Sequence, residues 1–172
     1  MNIIDNAGVL AISTRLQRLS EQIRKDGVLI YKDHGIEFEP KWFPVMYVLY
    51  NKSVLSVVEL ATEIGYTHPS TITLLKELEK EKLIRSKKDK ADERKRLIQL
   101  TERGRELVSR MGPVWDLMIT TMTDITNTTN NLMQAIEEVE AKLRKKSFVD
   151  RAMEQKAANA AGRAKSKKKK SA

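Results

Sequence analysis

The stretch of sequence that decides the fold runs from Ser56 to Gly104: SVVELATEIGYTHPSTITLLKELEKEKLIRSKKDKADERKRLIQLTERG. Its first four residues, Ser-Val-Val-Glu, match the capping box, in which the serine and glutamate side chains each accept a hydrogen bond from a free backbone N–H. Apolar residues then recur at helical spacing, and Gly65 suits the left-handed conformation that ends many helices. This pattern predicts a short amphipathic helix that ends in a glycine turn.

A second amphipathic helix is predicted after this turn, with Thr67 as its N-cap and Pro69 in its first turn. Its core-facing residues are predicted to be Ile72, Leu75 and Leu78, with Leu74 beside them. Two helices joined by Gly-Tyr-Thr form a helix-turn-helix, whose second helix enters the DNA major groove. The polar candidates for DNA contact are Thr67, His68, Ser70, Thr71, Thr73 and Lys76, although a solvated helix face has a similar composition.

A charged hairpin, or wing, is predicted next, with strands at residues 83–86 and 96–100. Arg85 to Arg96 contains seven basic and three acidic residues, a local concentration that is typical of a DNA contact and also occurs in solvated loops. Arg94 lies near the tip, where a guanidinium suits a narrow minor groove, and Asp92 can orient it or hold the turn. The wing candidates are Lys87, Lys88, Asp92, Arg94, Lys95 and Arg96.

Helical segments are predicted on both sides of this unit. Apolar residues recur at intervals of three and four in residues 9–23, 107–125 and 132–143. The first of these stripes suits either a core-facing helix or a subunit contact. We therefore predict a mainly α fold with a small β-wing. The winged helix-turn-helix occupies residues 35–104, dimerisation helices occupy residues 1–34 and 105–156, and a disordered basic tail occupies residues 157–172.

Composition narrows the class of protein. The net charge is +9, but residues 156–172 hold seven basic and no acidic residues, so residues 1–155 carry only +2. The absence of cysteine excludes disulfides and thiolate metal sites. No apolar run approaches the ~20 residues that span a bilayer, and the first residues lack a signal peptide's pattern. We expect a cytoplasmic protein without a metal, a cofactor or enzymatic activity, since no catalytic constellation is visible.

The motifs together resemble the MarR family of winged-helix regulators. The resemblance rests on the two helices, Leu83-Ile84, Asp89-x-x-Asp92-x-Arg94 and Leu100-Thr101-x-x-Gly104. It implies a homodimer on a pseudopalindromic operator, with the helix from Thr67 in the major groove and Arg94 in the minor groove. It also implies a small phenolic or lipophilic effector that releases the DNA.

Two features depart from this family. Lys82 stands where the family usually has glycine, so that lysine must adopt a left-handed conformation or alter the turn. The lysine-rich tail is not a family feature, and it suits either an added nonspecific DNA contact or a solvated end. The segment KWFPVMYVLY (41–50) also resembles MarR-like domains fused to GNAT acetyltransferases, but the chain has no coenzyme A loop, so we do not predict that activity.

Five aromatic residues suit either an effector pocket or the core: Tyr31, Trp42, Phe43, Tyr47 and Trp115. An alternative function also fits the sequence. In that alternative, the winged helix is a protein-interaction or dimerisation module, and nucleic-acid binding is nonspecific and depends on the tail.

Overall fold

The computed structural model describes residues 2–92 and 94–170, with residues 162–170 described by their backbone alone. The described chain is mainly helical with one small antiparallel sheet, which confirms the predicted fold class. The strands are β1 (Val54–Ser56), β2 (Ile84–Lys88) and β3 (Arg96–Leu100), and 3-10 turns occupy Gly8–Ala11 and Pro40–Trp42. The helices are α1 (Ile3–Asn6), α2 (Ile12–Asp33), α3 (Phe43–Lys52), α4 (Val57–Ile64), α5 (His68–Lys80), α6 (Glu102–Thr126), α7 (Leu132–Lys145) and α8 (Phe148–Lys170).

The chain divides into two compact units, Met1–Leu117 and Met118–Ala172, and the division falls within α6. The first unit contains the helix-turn-helix and all three strands of the sheet. The second contains the end of α6 with α7 and α8. Within residues 2–92 and 94–170, every helix is too short or too polar to cross a membrane.

The sheet has the strand order β1-β3-β2, and both pairs are antiparallel. Strand β3 matches the predicted residues 96–100. Strand β2 begins one residue later than predicted and continues to Lys88, because the hairpin pairing of Lys88 with Arg96 extends into the charged segment. Strand β1 was not predicted; its three residues pair with β3, and the last of them, Ser56, is also the N-cap of α4.

The core of the first unit is built on the inner faces of α3, α4, α5 and β3. Its fully buried side chains include Met46, Leu49, Leu60, Leu75, Leu78 and Ile98. The buried face of α5 consists of Thr71, Leu74, Leu75 and Leu78. The prediction that Ile72 leads this face is wrong by one position, because the helical repeat begins at Thr71 and leaves Ile72 half-buried.

The N-terminal apolar stripe is exposed within the single chain. Val9 is 85% exposed and Leu16 is 47% exposed, and the other members of the stripe are also exposed: Ile12, Leu19 and Ile23. Farther along the same helix, Gly27 and Tyr31 are buried. Helix α2 therefore packs on its own unit mainly through its C-terminal part.

The C-terminal segment differs from the sequence-based expectation. The sequence predicts disorder from residue 157, whereas the structure continues α8 as far as Lys170. Alanine, lysine and arginine dominate this segment, and these residues have high intrinsic helix propensity, so a helix forms without a large apolar face. Residues 171 and 172 of the predicted tail lie outside the described residues.

Candidate nucleic-acid interface

The turn of the helix-turn-helix is held by local hydrogen bonds. The predicted capping box is present: the Ser56 hydroxyl accepts from the Glu59 N–H at 3.2 Å, and the Ser56 N–H donates to the Glu59 carboxylate at 2.8 Å. The Ser56 side chain is the largest cause that lowers the pKa of Glu59, followed by the hydrogen bond from the Ser56 N–H. Gly65 has a φ of +69°, and the Tyr66 N–H closes the end of α4 on the Ala61 carbonyl at 3.1 Å.

The first turns of α5 present an exposed polar surface. Thr67 caps the helix, since its hydroxyl oxygen accepts from the Ser70 N–H at 3.4 Å and lies 2.9 Å from the Ser70 hydroxyl. The Thr73 hydroxyl donates to the Pro69 carbonyl at 3.1 Å. The exposed members of the predicted set are Thr67, His68, Ser70, Thr73 and Lys76. The structure therefore leaves these five side chains exposed along the first three turns of α5.

Thr71 does not belong to this surface, which corrects the sequence-based assignment. Its side chain is fully buried, and its hydroxyl donates to the Thr67 carbonyl at 3.0 Å. It lies three, four and seven residues before the buried leucines of α5, so the helical repeat turns it toward the core. A hydroxyl bonded within its own helix can occupy such a position without a polar penalty.

Arg94 is a highly exposed cation near the tip of the wing. Its side chain is 92% exposed, and its Nε donates to the Asp92 carboxylate at 3.1 Å. The Arg94 backbone N–H donates to the same oxygen at 3.1 Å, so Asp92 both orients the guanidinium and holds the turn. The hydrogen bond from Arg94 is the main reason that the pKa of Asp92 is lowered. The tip is further closed by the Asp89 N–H, which donates to the Lys95 carbonyl at 3.0 Å.

The other predicted wing residues divide into two groups. Lys87, Lys88 and Lys95 are exposed along the hairpin. Arg96 is exposed but already paired, because its Nη2 lies 2.6 Å from both carboxylate oxygens of Glu79 on α5. The pairing partner is 17 residues away in the sequence and was not predicted.

Lys82 joins the recognition helix α5 to the wing and adopts the left-handed conformation, with a φ of +57°. The Lys82 N–H donates to the Glu79 carbonyl at 2.9 Å, and the Leu83 N–H donates to the Leu78 carbonyl at 3.0 Å. This is the Schellman pattern that also ends α4 at Gly65. The turn therefore keeps the geometry that glycine favours, with lysine in its place.

The five predicted aromatic residues fall into two contacting groups. Phe43, Tyr47 and Trp115 form one, with ring centroids 5.2–5.6 Å apart. Tyr31 is buried and accepts a 2.9 Å hydrogen bond from Trp115 Nε1, and burial is the main cause that raises its pKa. Trp42 belongs to a second group, whose centre is Phe38.

Phe38 connects these groups and was missed by sequence reasoning, because it lies in a charged loop without periodicity. Its ring centroid lies 4.9 Å from that of Tyr31 and 5.8 Å from that of Trp42. Trp42 Nε1 then donates to the Glu77 carboxylate of α5 at 3.2 Å. Phe38 and Trp42 also line a cleft of about 780 Å³, together with Leu83, Arg103 and Arg110. The other four predicted pocket residues are not among the described residues that line it.

Comparisons with known proteins agree with this fold. Residues 29–111 match a family model described as transcriptional regulator SarA/Rot. The structure is similar to S. aureus MepR in a DNA complex, with 23% identity and a TM-score of 0.60, over 78% of this chain and 94% of that chain. It is also similar to M. tuberculosis MOSR in complex with DNA, with 19% identity and a TM-score of 0.65, over 77% and 96%.

A third similar structure is that of Bordetella bronchiseptica BpsR, whose DNA binding is regulated by 6-hydroxynicotinic acid. Here the identity is 22% and the TM-score 0.54, over 74% of this chain and 98% of that chain. Among curated proteins, no sequence matches this chain significantly. The predicted resemblance is confirmed at the level of the fold and of the family model, which describes transcriptional regulators. The chain therefore shares the winged helix-turn-helix fold of these regulators, and its residues 29–111 match a family model described as transcriptional regulator SarA/Rot.

Proposed function

We propose that this chain is a non-enzymatic transcriptional regulator that binds duplex DNA in the cytoplasm. The observation that carries the proposal is the exposed polar end of α5 beside a basic wing whose Arg94 is 92% exposed. Helix N-termini attract phosphate through free N–H groups and the helix dipole, and arginine binds a narrow minor groove. The DNA-contacting residues of α5 are proposed to be Thr67, His68, Ser70, Thr73 and Lys76, and those of the wing Lys87, Lys88, Arg94 and Lys95, with Asp92 as the residue that orients Arg94.

The functional form is proposed to be a homodimer on a pseudopalindromic operator. Its support is the exposed apolar stripe on α2, together with exposed apolar residues on α7 and α8: Met133, Val139, Leu143, Phe148 and Met153. Soluble chains rarely leave such stripes in water, since burial of apolar area is the main source of association free energy. Two helix-turn-helices related by a twofold axis would meet half-sites about 10 bp apart.

A small aromatic effector is proposed to bind at the Phe43, Tyr47 and Trp115 group. Phe43 and Tyr47 are 39% and 46% exposed, so their rings are accessible to a ligand. Contacts run without a gap from Trp115 through Tyr31, Phe38 and Trp42 to Glu77 on α5. Ligands of this class are represented by 6-hydroxynicotinic acid, named in the BpsR structure. A titration of Trp115 fluorescence with that compound, in a Trp42→Phe background, tests this site.

The regulator proposal is tested by DNA binding at several salt concentrations. Operator fragments are first recovered from the organism's own genome with the full chain, and then bound by the full chain and by a chain that ends at Ala160. The truncation removes Arg163 and the following lysines, so it should lower the dependence of log K on log salt, by about 0.9 for each lost phosphate contact. Preference for the operator over an unrelated duplex should remain.

The tail-driven alternative makes the opposite prediction for the same experiment. If the tail supplies the nucleic-acid binding, the truncated chain should lose affinity for both duplexes equally. The full chain should then show little preference between them. That result would contradict the proposed function.

A further inference from the structure

Glu79 connects the recognition helix to both strands of the wing. It lies in the last turn of α5, and its carboxylate oxygens each lie 2.6 Å from Arg96 Nη2 on β3. Ser86 on β2 is a further neighbour of this carboxylate, and it is among the causes that lower the Glu79 pKa. The Glu79 and Arg96 side chains are only 26% and 42% exposed. We call these three residues the Glu79 cluster.

Because the Glu79 cluster joins α5 to the wing, a small rotation there displaces the far end of the wing. The chain passes from α5 to the hairpin through the left-handed turn at Lys82. Glu79 lies before this turn, and Ser86 and Arg96 lie after it, so the cluster connects α5 to the hairpin a second time. Strand β2 has five residues, so its far end lies about 16 Å from its base at roughly 3.3 Å per residue. A rotation of about 10° at the base would move that end by roughly 3 Å, as far as a hydrogen bond is long.

The charges in the Glu79 cluster indicate that Glu79 positions the wing and does not itself attract DNA. Glu79 places a carboxylate beside a wing that carries a net positive charge, and a carboxylate repels DNA phosphate. Its pKa is lowered, since hydrogen bonds from Ser86 and Arg96 outweigh the burial that raises it. Arg96 therefore has a charged partner, while the cations at Lys87, Lys88 and Lys95 are exposed on the hairpin. A residue whose only role was to increase the affinity for DNA would not be acidic at this position.

We propose that Glu79 is a positioning residue for DNA recognition, which sets the angle of the wing on α5 through Arg96 and Ser86. This inference rests on the proposed DNA-binding function. In this inference Arg96 holds the wing on α5 and does not contact DNA phosphate. The wing then reaches its groove at a defined distance from the groove occupied by α5.

The binding test compares Glu79→Gln with Glu81→Gln, which removes the same charge from the exposed end of the same helix. Glu79→Gln should weaken binding to the operator about tenfold. Its binding to an unrelated duplex should stay equal or become tighter, with a salt slope steeper by about 0.9 because Arg96 becomes available to a phosphate. Glu81→Gln should change both affinities by one common factor. Equal effects of the two variants would overturn the inference.

A charge exchange provides the second variant. Arg96→Glu alone should lose operator preference, and Arg96→Glu combined with Glu79→Arg should regain it to within about threefold of the wild type, since the pair is restored with its partners exchanged. A double variant that is no better than Arg96→Glu alone would contradict the proposal. Circular dichroism of each variant checks that the fold is retained.

A measurement without DNA separates this inference from the function on which it rests. The chain contains no cysteine, so Thr62→Cys on α4 and Lys90→Cys on the wing give unique spin-label sites. Dilution with unlabelled chains isolates the distance within one chain. Glu79→Gln should broaden the distance distribution and Glu81→Gln should not. An unchanged distance distribution in Glu79→Gln would overturn the positioning role. A wild-type chain without any preference for the operator would instead overturn the proposed DNA-binding function.

Discussion

The Thr101 hydroxyl donates a 2.7 Å hydrogen bond to the carbonyl oxygen of Lys82, the left-handed residue between recognition helix and wing. The same hydroxyl lies 3.1 Å from the Leu83 carbonyl oxygen and accepts from the Gly104 N–H at 3.0 Å. One side chain thus holds the turn at the base of the wing and caps helix α6. The geometry of the proposed DNA-binding surface depends on this junction, and two predictions test the junction.

Lys82→Gly should stabilise the protein. A non-glycine residue in the left-handed region costs roughly 1 kcal/mol, and the exposed Lys82 side chain makes no buried contacts that glycine would lose. The free energy of unfolding should rise by about 0.5–1 kcal/mol, which raises the Tm by roughly 1–4 °C in a chain of this size. Lys76→Gly is the control: it is exposed and lies inside α5, so the same change should lower the Tm. A decrease for both variants would show that Lys82 is unstrained.

Gly104→Ala should destabilise the same junction. A Cβ at this position would lie 2.1 Å from the Leu83 carbonyl oxygen, which is backbone and cannot rotate away. The expected loss is about 2–3 kcal/mol, measured by urea denaturation. Gly112→Ala on the same helix is the matched control, because a Cβ there meets no atom within 4 Å. That substitution should add up to about 1 kcal/mol through helix propensity, so the two variants should differ in sign.

The contact between Trp42 and Glu77 should depend on pH. The pKa of Glu77 is lowered from its ordinary 4.5, first by the hydrogen bond from Lys41 and then by that from Trp42. A depressed carboxylate pKa adds stability above the unfolded-state value and loses it as pH falls through the folded-state value. Stability should therefore decline below about pH 4.5. Trp42 fluorescence in a Trp115→Phe background should change over the same range, and Glu77→Gln or Lys41→Met should flatten both curves. A Glu77→Gln variant with the full pH dependence would exclude this carboxylate as the cause.

The proposed dimer interface is tested on α2. Leu16→Asp places a charge in the exposed apolar stripe, and in a twofold interface that charge appears twice. The dissociation constant should rise at least a hundredfold, which corresponds to about 2.7 kcal/mol. Thr14→Asp, on the opposite side of the helix, should leave it unchanged. Sedimentation equilibrium measures both. A wild-type chain that is monomeric at micromolar concentration would contradict the dimer.

The parts of the fold that sequence predicts well are those set by local hydrogen bonds. The Ser56 capping box, the left-handed Gly65 and the Thr67 N-cap all occur as expected, because each depends on residues within a few positions. The contact between Asp92 and Arg94 is also local, since the two residues are only two positions apart in the sequence.

Features set by tertiary contacts were harder to predict. Thr71 is chemically suited to DNA, yet the register of α5 on the core buries it, and a shift of one position decides that outcome. Arg96 resembles its basic neighbours in sequence, but its partner Glu79 approaches only after the hairpin folds back. The local motif at the Lys82 turn likewise left two conformations open, and the Schellman bonds select the left-handed one.

DNA recognition by the wing is tested most directly by the operator preference of Arg94→Ala, measured as the ratio of affinities for the operator and an unrelated duplex. Lys90→Ala is the control, because it removes an exposed cation from the same wing, and Arg94→Lys keeps the charge without the planar guanidinium. If the winged helix recognises DNA, Arg94→Ala should reduce the ratio by about 10–100-fold, from a loss of roughly 1–3 kcal/mol. Arg94→Lys should recover it only in part, and Lys90→Ala should keep it near the wild-type value. An unchanged ratio in Arg94→Ala would contradict DNA recognition by this wing.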